Sequence, residues 1–407
     1  MMSLSRAVVL SLVVAAPAAW GQELEPPPLS LAEALAAARL LNPTLQAARL
    51  REAVDRAAID VAREIPNPEA RYERSKETPR EALGLTQLVE LPPKRSRRVA
   101  AARAAADTGR AEVAQVEAEI AVEVRQAFFQ LAAAQRRAEV SLELQALARR
   151  VRDAASARFE VGDVSRLDVL QADVALLQAD NEATAEAGTR RAAMAELNAL
   201  VGRDPLAVTV VSAAIDNAPP LDVALVLQAA ESGNTAIAVL DRQIAEAEAR
   251  SALARAERWP EPTVEAAVTH LAEPEFTWGW RFAASVSLPL FNRHRAAVRV
   301  EEATLAVRRA ERVALAKRVR GAVVAALGRA AAQQQRYLRF RDEILPKSHE
   351  VEDMAQESYR VGHSPLSALL QALQAARELR GQALAAASEY QSALVELEQA
   401  LTVGGRP

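Results

Sequence analysis

Residues 94–160 contain no proline and keep a helical hydrophobic spacing throughout. Val113, Val116, Ile120, Val124, Phe128 and Leu131 recur at steps of three and four, which places them on one helix face. At 1.5 Å per residue such a run extends roughly 100 Å as a single helix. A globular core has no use for a rod of that length. The chain must therefore bury the rod against other rods, in an elongated, layered molecule. The composition agrees: alanine is the commonest residue and aromatics are only 4%. Small side chains let long helices approach closely.

The rod ends in a motif that occurs twice. "ARFEVGDVSRLDVLQA" spans residues 157–172, and "ESYRVGHSPLSALLQA" spans residues 357–372. Phe159 aligns with Tyr359, Gly162 with Gly362, and Leu170-Gln171-Ala172 with Leu370-Gln371-Ala372. Gly162 suits a helix C-terminus, where positive φ is cheap for glycine. Ser165 suits the N-cap of a return helix, and Asp168 suits its positive dipole end. The order around each turn also repeats. Helix is expected over about 29–65, ended by Pro66 and Pro68; a β region follows to Pro92-Pro93, then the rod, the turn and a return helix to about 201. The second round predicts helix over about 234–258, a β region, helix over about 295–361 with a kink at Pro346, and a return helix over about 365–402.

The expected fold class is mainly α with a small β part, built from a duplicated helix–β-hairpin–helix–helix unit. Repeat 1 covers 29–201, with its hairpin at about 69–91 and its turn at about 161–165. Repeat 2 covers 234–402, with its hairpin at about 263–290 and its turn at about 361–365. Residues 202–233 link them and include a β-prone "VTVV" and the sequence "DNAPP".

In "WGWRFAASVSLPLF", Trp278, Trp280, Phe282, Ala284, Val286 and Leu288 alternate with Arg281, Ala283, Ser285 and Ser287. This is the apolar-out, polar-in pattern of a membrane barrel strand, with aromatics near one end. "TVEAAVTHL" is its expected partner, with "AEPEF" as the turn; "EARYERS" and "ALGLTQLVEL" form the first hairpin. Two half-buried hairpins on a soluble domain would read the same way. Four short strands cannot close a barrel, and free edges in lipid strand backbone groups at several kcal/mol each. Membrane strands here therefore require several chains to pool them.

Residues 1–22 read as a secretory signal: Arg6, an apolar run over 7–16, and Ala19-Trp20-Gly21 as a small-x-small cleavage site, giving a signal peptide over 1–21. An N-terminal anchor helix is the other reading. The absence of cysteine removes disulfides, thiolate metal sites and cysteine lipidation. A net charge of −3 with 25% charged residues gives no basic bias toward nucleic acid. No catalytic, cofactor-binding or metal-ligating constellation is visible. His270, His294, His349 and His363 are scattered, and no P-loop, GxGxxG, GxSxG or HExxH occurs. Glu117 and Glu119, like Glu246 and Glu248, read as solvated helix faces. The basic clusters "PPKRSRR" and "FNRHR" follow the two hairpins, at the expected membrane–water boundary or as ordinary helix-surface charge.

"LSLAEALAAARLLNPTLQAAR", "QLVELPPKRSRR", "VSLPLFNRHRAAVRVEEA" and the two aromatic-x-x-Gly turns together resemble the TolC family of outer-membrane efflux proteins. The resemblance covers nearly the whole chain after residue 28. "QLVELPPKRSRR" is similar to the branch serving heavy-metal efflux pumps, which usually has glycine where this chain has Pro93. The resemblance implies a homotrimer whose three chains supply a twelve-stranded transmembrane β-barrel and a long periplasmic α-helical barrel. It implies a Gram-negative outer-membrane location, a periplasmic adaptor (membrane fusion protein) docking at the tips, and an RND-type inner-membrane pump. The protein would then be a passive duct rather than an enzyme, exporting heavy-metal cations. The same fold also serves drug efflux and type I protein secretion, and a soluble secreted coiled-coil scaffold is the alternative of another class. Arg158, Phe159, Gly162, Ser165, Asp168, Tyr359, Gly362 and Ser364 are the expected tip and adaptor contacts. Phe159 and Tyr359 are equally packing candidates. Trp278, Trp280 and Phe282 are expected to face lipid. Many relatives carry aspartates just after the second turn as an acidic ring; here Ala368 and Gln371 stand there, while Asp168 follows the first turn.

Overall fold

A computed structural model describes residues 27–212, 233–272, 274 and 276–403. The expected signal peptide and the "DNAPP" linker lie outside the described residues. In chain order the elements are α1 (Leu31–Leu41), α2 (Pro43–Arg63), β1 (Glu69–Arg74), β2 (Glu81–Leu88), α3 (Pro92–Glu160) and α4 (Arg166–Leu200). There follow α5 (Thr235–Ala256), β3 (Pro262–Ala272), β4 (Phe276–Val286), α6 (Arg295–Arg339), a π-helical turn (Phe340–Ile344), α7 (Leu345–Arg360) and α8 (Leu366–Thr402).

The 69 residues of α3 form one unbroken helix, about 100 Å long. It packs along α2, α4, α5 and α8 and so forms the spine of the layer. Its buried positions include Val113, Ile120, Val124, Phe128 and Leu131, the stripe read from the sequence. At mid-height these meet Ala34, Leu45, Leu197, Val201 and Tyr390 in the largest apolar cluster. Burying a Phe or Leu there contributes about 1.5–3 kcal/mol each. This cluster draws on both halves of the chain, while a second one around Val319, Val323, Ala326 and Leu397 lies wholly in the second half.

Two expected helices are broken. The single helix over 29–65 is divided at Asn42, which has ψ 122° because Pro43 disfavours helical geometry in the residue before it. Asn42 then caps α2: its Oδ1 accepts from the Thr44 and Leu45 amides at 2.9 and 3.2 Å. The expected kink at Pro346 takes the form of the π turn just before it. Proline has no N–H to give the carbonyl four residues back, and the Leu345 amide bonds Phe340 O, five residues back. Phe340 packs on Ala383 and Ala386 of α8.

The four strands make one antiparallel sheet in the order β1-β2-β3-β4. The two hairpins are therefore joined through β2 and β3, and β1 and β4 are left as free edges. "VTVV" supplies no strand; Val211 makes an isolated parallel bridge to Leu29 at mid-height.

Candidate functional site

The two helix turns share one backbone solution. Gly162 and Gly362 have φ of 80° and 79°. At the first, the Gly162 amide bonds Phe159 O at 3.0 Å and the Asp163 amide bonds Arg158 O at 2.9 Å. At the second, Gly362 bonds Tyr359 O at 3.1 Å and His363 bonds Ser358 O at 2.9 Å. Each pair is a Schellman closure, which satisfies carbonyls that a helix end leaves open. No heavy atom lies within 4 Å of a Cβ built at either glycine.

Beyond the glycines the two turns diverge. Ser165 and Asp168 form a reciprocal capping box on α4. Asp168 Oδ2 accepts from Ser165 Oγ at 2.7 Å and from the Ser165 amide at 2.9 Å, while the Asp168 amide donates to Ser165 Oγ at 3.3 Å. The second turn has Pro365 and Ala368 at these positions, and α8 has no side-chain cap. Apolar packing replaces the cap: Tyr359, Leu366 and Leu369 are buried with Val151, Ala155 and Ala172. The aligned aromatics thus separate, with Tyr359 only 8% exposed and Phe159 45% exposed. Arg158 stacks over the Tyr359 ring at 5.1 Å and reaches Asp163 at 3.5 Å, so it ties the two turns together. Ser364 Oγ and Tyr359 Oη are buried without a hydrogen-bond partner among the described residues. Exposed Val161, Leu167, Leu170, Val174 and Leu177 continue from Phe159 as an uncovered apolar seam.

The capping box holds the Asp168 carboxyl below its ordinary range, first through the Ser165 hydroxyl and then through the Ser165 amide. A lowered folded-state value adds stability above the unfolded value and loses it as pH falls through the folded one. The start of α4 is therefore expected to fray in acid. Amide exchange at residues 166–169 should accelerate as pH drops below the ordinary carboxylate range, beyond the intrinsic rate change. Asp168→Ala should exchange fast at neutral pH and show no such acid step.

The sheet presents two chemically distinct faces. Pairing register aligns Tyr72, Leu83, Val268 and Trp280 on one level, and Ala70, Leu85, Ala266 and Phe282 on the next. Trp278, Trp280 and Phe282 are 66%, 75% and 76% exposed. The level at the hairpin-loop end holds Arg74, Glu81, His270 and Trp278, with His270 against the Trp278 ring at 4.2 Å. The opposite face carries Glu69, Arg71, Glu73, Glu265 and Arg281 together with Ala82, Ala267 and Thr269, which are buried.

In the basic cluster after the first hairpin, Lys94, Arg95 and Arg98 have partners, and Arg97 is exposed. Lys94 pairs with Glu261 at 2.5 Å. Arg95 donates to Arg63 O, at 2.6 Å through Nη2, and Arg98 donates to Ala62 O and Glu64 O at 2.9 and 2.8 Å while pairing with Glu90. Arg95 and Arg98 cap the C-terminus of α2 where its carbonyls end, a favourable place for cations. In the second cluster Arg293 donates to Leu290 O at 3.3 Å, and Phe291 is fully exposed.

A pair of asparagines escaped the sequence reading. Asn42 Nδ2 donates to Leu200 O at 2.9 Å. Asn234 caps α5 through the Ile237 amide and donates to Ala400 O and Leu401 O at 3.4 and 3.3 Å. In each half an asparagine, N-capping α2 or α5, thus closes onto the end of the return helix. The available signal was an asparagine directly before each of these two helices, Asn42 before Pro43 and Asn234 before Thr235. Among the described residues no group of His, Asp and Glu is arranged to hold a metal, and no helix is long and apolar enough to cross a membrane.

Residues 34–203 match the family model described as outer membrane efflux protein. That stretch is similar to the family, and the fold of the chain is that of solved outer-membrane channels. A curated relative, the cobalt-zinc-cadmium resistance protein CzcC of Cupriavidus metallidurans, is 26% identical over 271 residues. That match covers 66% of this chain and spans 65% of the relative's own length. The solved channel CusC superposes with TM-score 0.74 at 15% identity, covering 92% of each chain. The MtrE outer membrane channel of Neisseria gonorrhoeae, in its open state, gives 0.72 at 19% identity, covering 92% of this chain and 89% of its own.

Proposed function

We propose that three copies of this chain form an outer-membrane duct that exports substrates delivered by an inner-membrane pump through a periplasmic adaptor. The observation that carries the reading is the sheet: its aromatic face is bare and both of its edges, β1 and β4, are unpaired. In hydrocarbon each unpaired backbone group costs several kcal/mol, so the edges must meet other copies. The flanking helices agree. α2 exposes Leu50, Val54 and Val61 at one margin of the layer, and α6 exposes Val300 and Val307 at the other. Unlike margins that join head to tail close into a ring. Three chains of four strands give twelve, and the long helices continue the barrel below the membrane. The duct performs no covalent chemistry. Heavy-metal cations are the proposed cargo, on the similarity to CzcC.

The tips are the proposed adaptor contacts: Arg158, Phe159, Gly162, Ser165 and Asp168 at the first turn, and Tyr359, Gly362 and Ser364 at the second. Tyr359 acts there through packing, holding Arg158 in place, and Phe159 offers the open aromatic surface. Adaptor binding opens the tips only by its differential affinity for the splayed state.

Two measurements test this reading. The protein should be extracted from membranes only by detergent, with the mass of a trimer; a soluble monomer would support a secreted scaffold instead. A deletion strain should become sensitive to cobalt, zinc or cadmium; unchanged metal tolerance with lost drug tolerance would redirect the cargo. The double variant Gly162→Val/Gly362→Val adds only backbone strain, about 1–2 kcal/mol at each turn. Trimers should persist in the membrane while export falls severely. Normal metal resistance in that strain would count against the tip assignment.

A further inference from the structure

We propose that the inner wall of the β-barrel, rather than the helical tip, sets the charge selectivity of the pore; this rests on the trimeric duct proposed above. Strand alternation puts Glu69, Arg71 and Glu73 of β1, Glu265 of β3 and Arg281 of β4 on the face opposite the tryptophans. The register sorts these five charges into bands. Arg71, Gly84, Ala267 and Arg281 share one level; Glu69, Thr86, Glu265 and Ala283 share the next. Glu73 lies one level further toward the hairpin loops, beside Ala82, Thr269 and Gly279. The intervening residues are small, so the charged side chains are the ones that stand out from the wall.

The charges are not all equivalent. Arg281 donates to Glu265 at 2.8 Å, so those two largely neutralise each other. Glu69, Arg71 and Glu73 have no ion-pair partner among the described residues. Each chain therefore offers the lumen three carboxylates against two guanidiniums, an excess of one negative charge borne by β1. In a trimer this becomes a guanidinium band held between two carboxylate bands.

Distance decides whether such bands act on a passing ion. A twelve-stranded barrel with ordinary strand spacing and tilt has a backbone radius of roughly 12 Å. Side chains project inward from that wall, so their charges sit within the ~10 Å Debye length of the axis at 0.1 M salt. At the tips most acidic groups are paired: Asp163 lies 3.5 Å from Arg158 and Asp173 lies 2.9 Å from Arg152. Asp168 keeps its charge but is turned back onto Ser165, and Glu160 is exposed. Glu357 pairs with Arg360. Ala368 and Gln371 contribute no charge after the second turn.

The test is the reversal potential of purified full-length protein in planar bilayers under a potassium chloride gradient. Wild type should be modestly cation-selective. Arg71→Gln should raise the potassium-to-chloride permeability ratio severalfold, and Glu69→Gln/Glu73→Gln should lower it to unity or below. Glu160→Gln, which removes an exposed tip carboxylate, should leave it unchanged. The proposal is overturned if the barrel variants conduct with an unaltered reversal potential, or if Glu160→Gln moves it as far as they do. Absence of conductance in every form, wild type included, would instead remove the duct reading on which the proposal stands.

Discussion

Phe282→Arg should abolish accumulation of the protein in the outer membrane, while Ala283→Arg, one residue along β4, should be tolerated. The two positions are adjacent in sequence and opposite in environment. Phe282 shares its level with Ala70, Leu85 and Ala266 on the bare apolar face and is 76% exposed. Ala283 shares its level with Glu69, Thr86 and Glu265 on the charged face. An arginine on the lipid face costs about 2–4 kcal/mol near the bilayer midplane and less near the interfaces. In a trimer the penalty is taken three times over, and the variant also forfeits the burial of a phenylalanine, about 1.5–3 kcal/mol per chain. The readout is the amount of detergent-extractable trimer in outer-membrane fractions. Equal loss in both variants would mean that the alternation does not separate lipid from lumen. Equal tolerance would mean that the sheet never enters a bilayer.

The faces of β4 were legible in the sequence because a strand has a period of two, and aromatic residues fell on one parity. The long helix was legible for the matching reason, a sustained step of three and four with no proline to end it. What escaped was everything decided by contact between distant segments. Phe159 and Tyr359 occupy equal places in aligned motifs, yet one is exposed and the other buried. The difference arises because Leu366 and Leu369 replace Arg166 and Val169, and draw the second turn against Val151 and Ala155. "PPKRSRR" carries the charge expected of a membrane boundary, but the carbonyls that Arg95 and Arg98 cap belong to α2, some thirty residues earlier. Composition shows that a cation is present and says nothing about which acceptor lies opposite. The break at Asn42 was available in the Asn-Pro pair itself, because proline disfavours helical geometry in the residue before it.

Gly202→Val should destabilise the protein far more than Gly162→Val, although both glycines end a helix with positive φ, 72° and 80°. The shared cost is backbone strain, about 1–2 kcal/mol for a residue with a Cβ. Position makes the difference. A Cβ at Gly162 meets nothing within 4 Å, whereas one at Gly202 would lie 2.6 Å from Leu41 Cβ and 2.9 Å from Leu41 O. The carbonyl belongs to the last residue of α1 and cannot swing aside as a flexible side chain could. The segments on both sides of the contact are tied down: Asn42, next to Leu41, donates through Nδ2 to Leu200 O at 2.9 Å, and the Arg203 amide, next to Gly202, donates to Asn198 O at 2.8 Å. Asn198 is itself wholly buried and bonded to Ala207 O and Thr209 Oγ1, both at 2.7 Å. Relief of the clash must break one of these bonds, which leaves a buried polar group unpaired at about 1–3 kcal/mol, or push apart the mid-height cluster at about 1–3 kcal/mol. A total of about 2–5 kcal/mol is expected for Gly202→Val against about 1–2 kcal/mol for Gly162→Val. Denaturant midpoints of the detergent-solubilised protein should rank wild type, Gly162→Val and Gly202→Val in that order, with the last far below the others. Coincident midpoints for the two variants would show that mid-height packing around Leu41 yields freely, and that strain alone governs both sites.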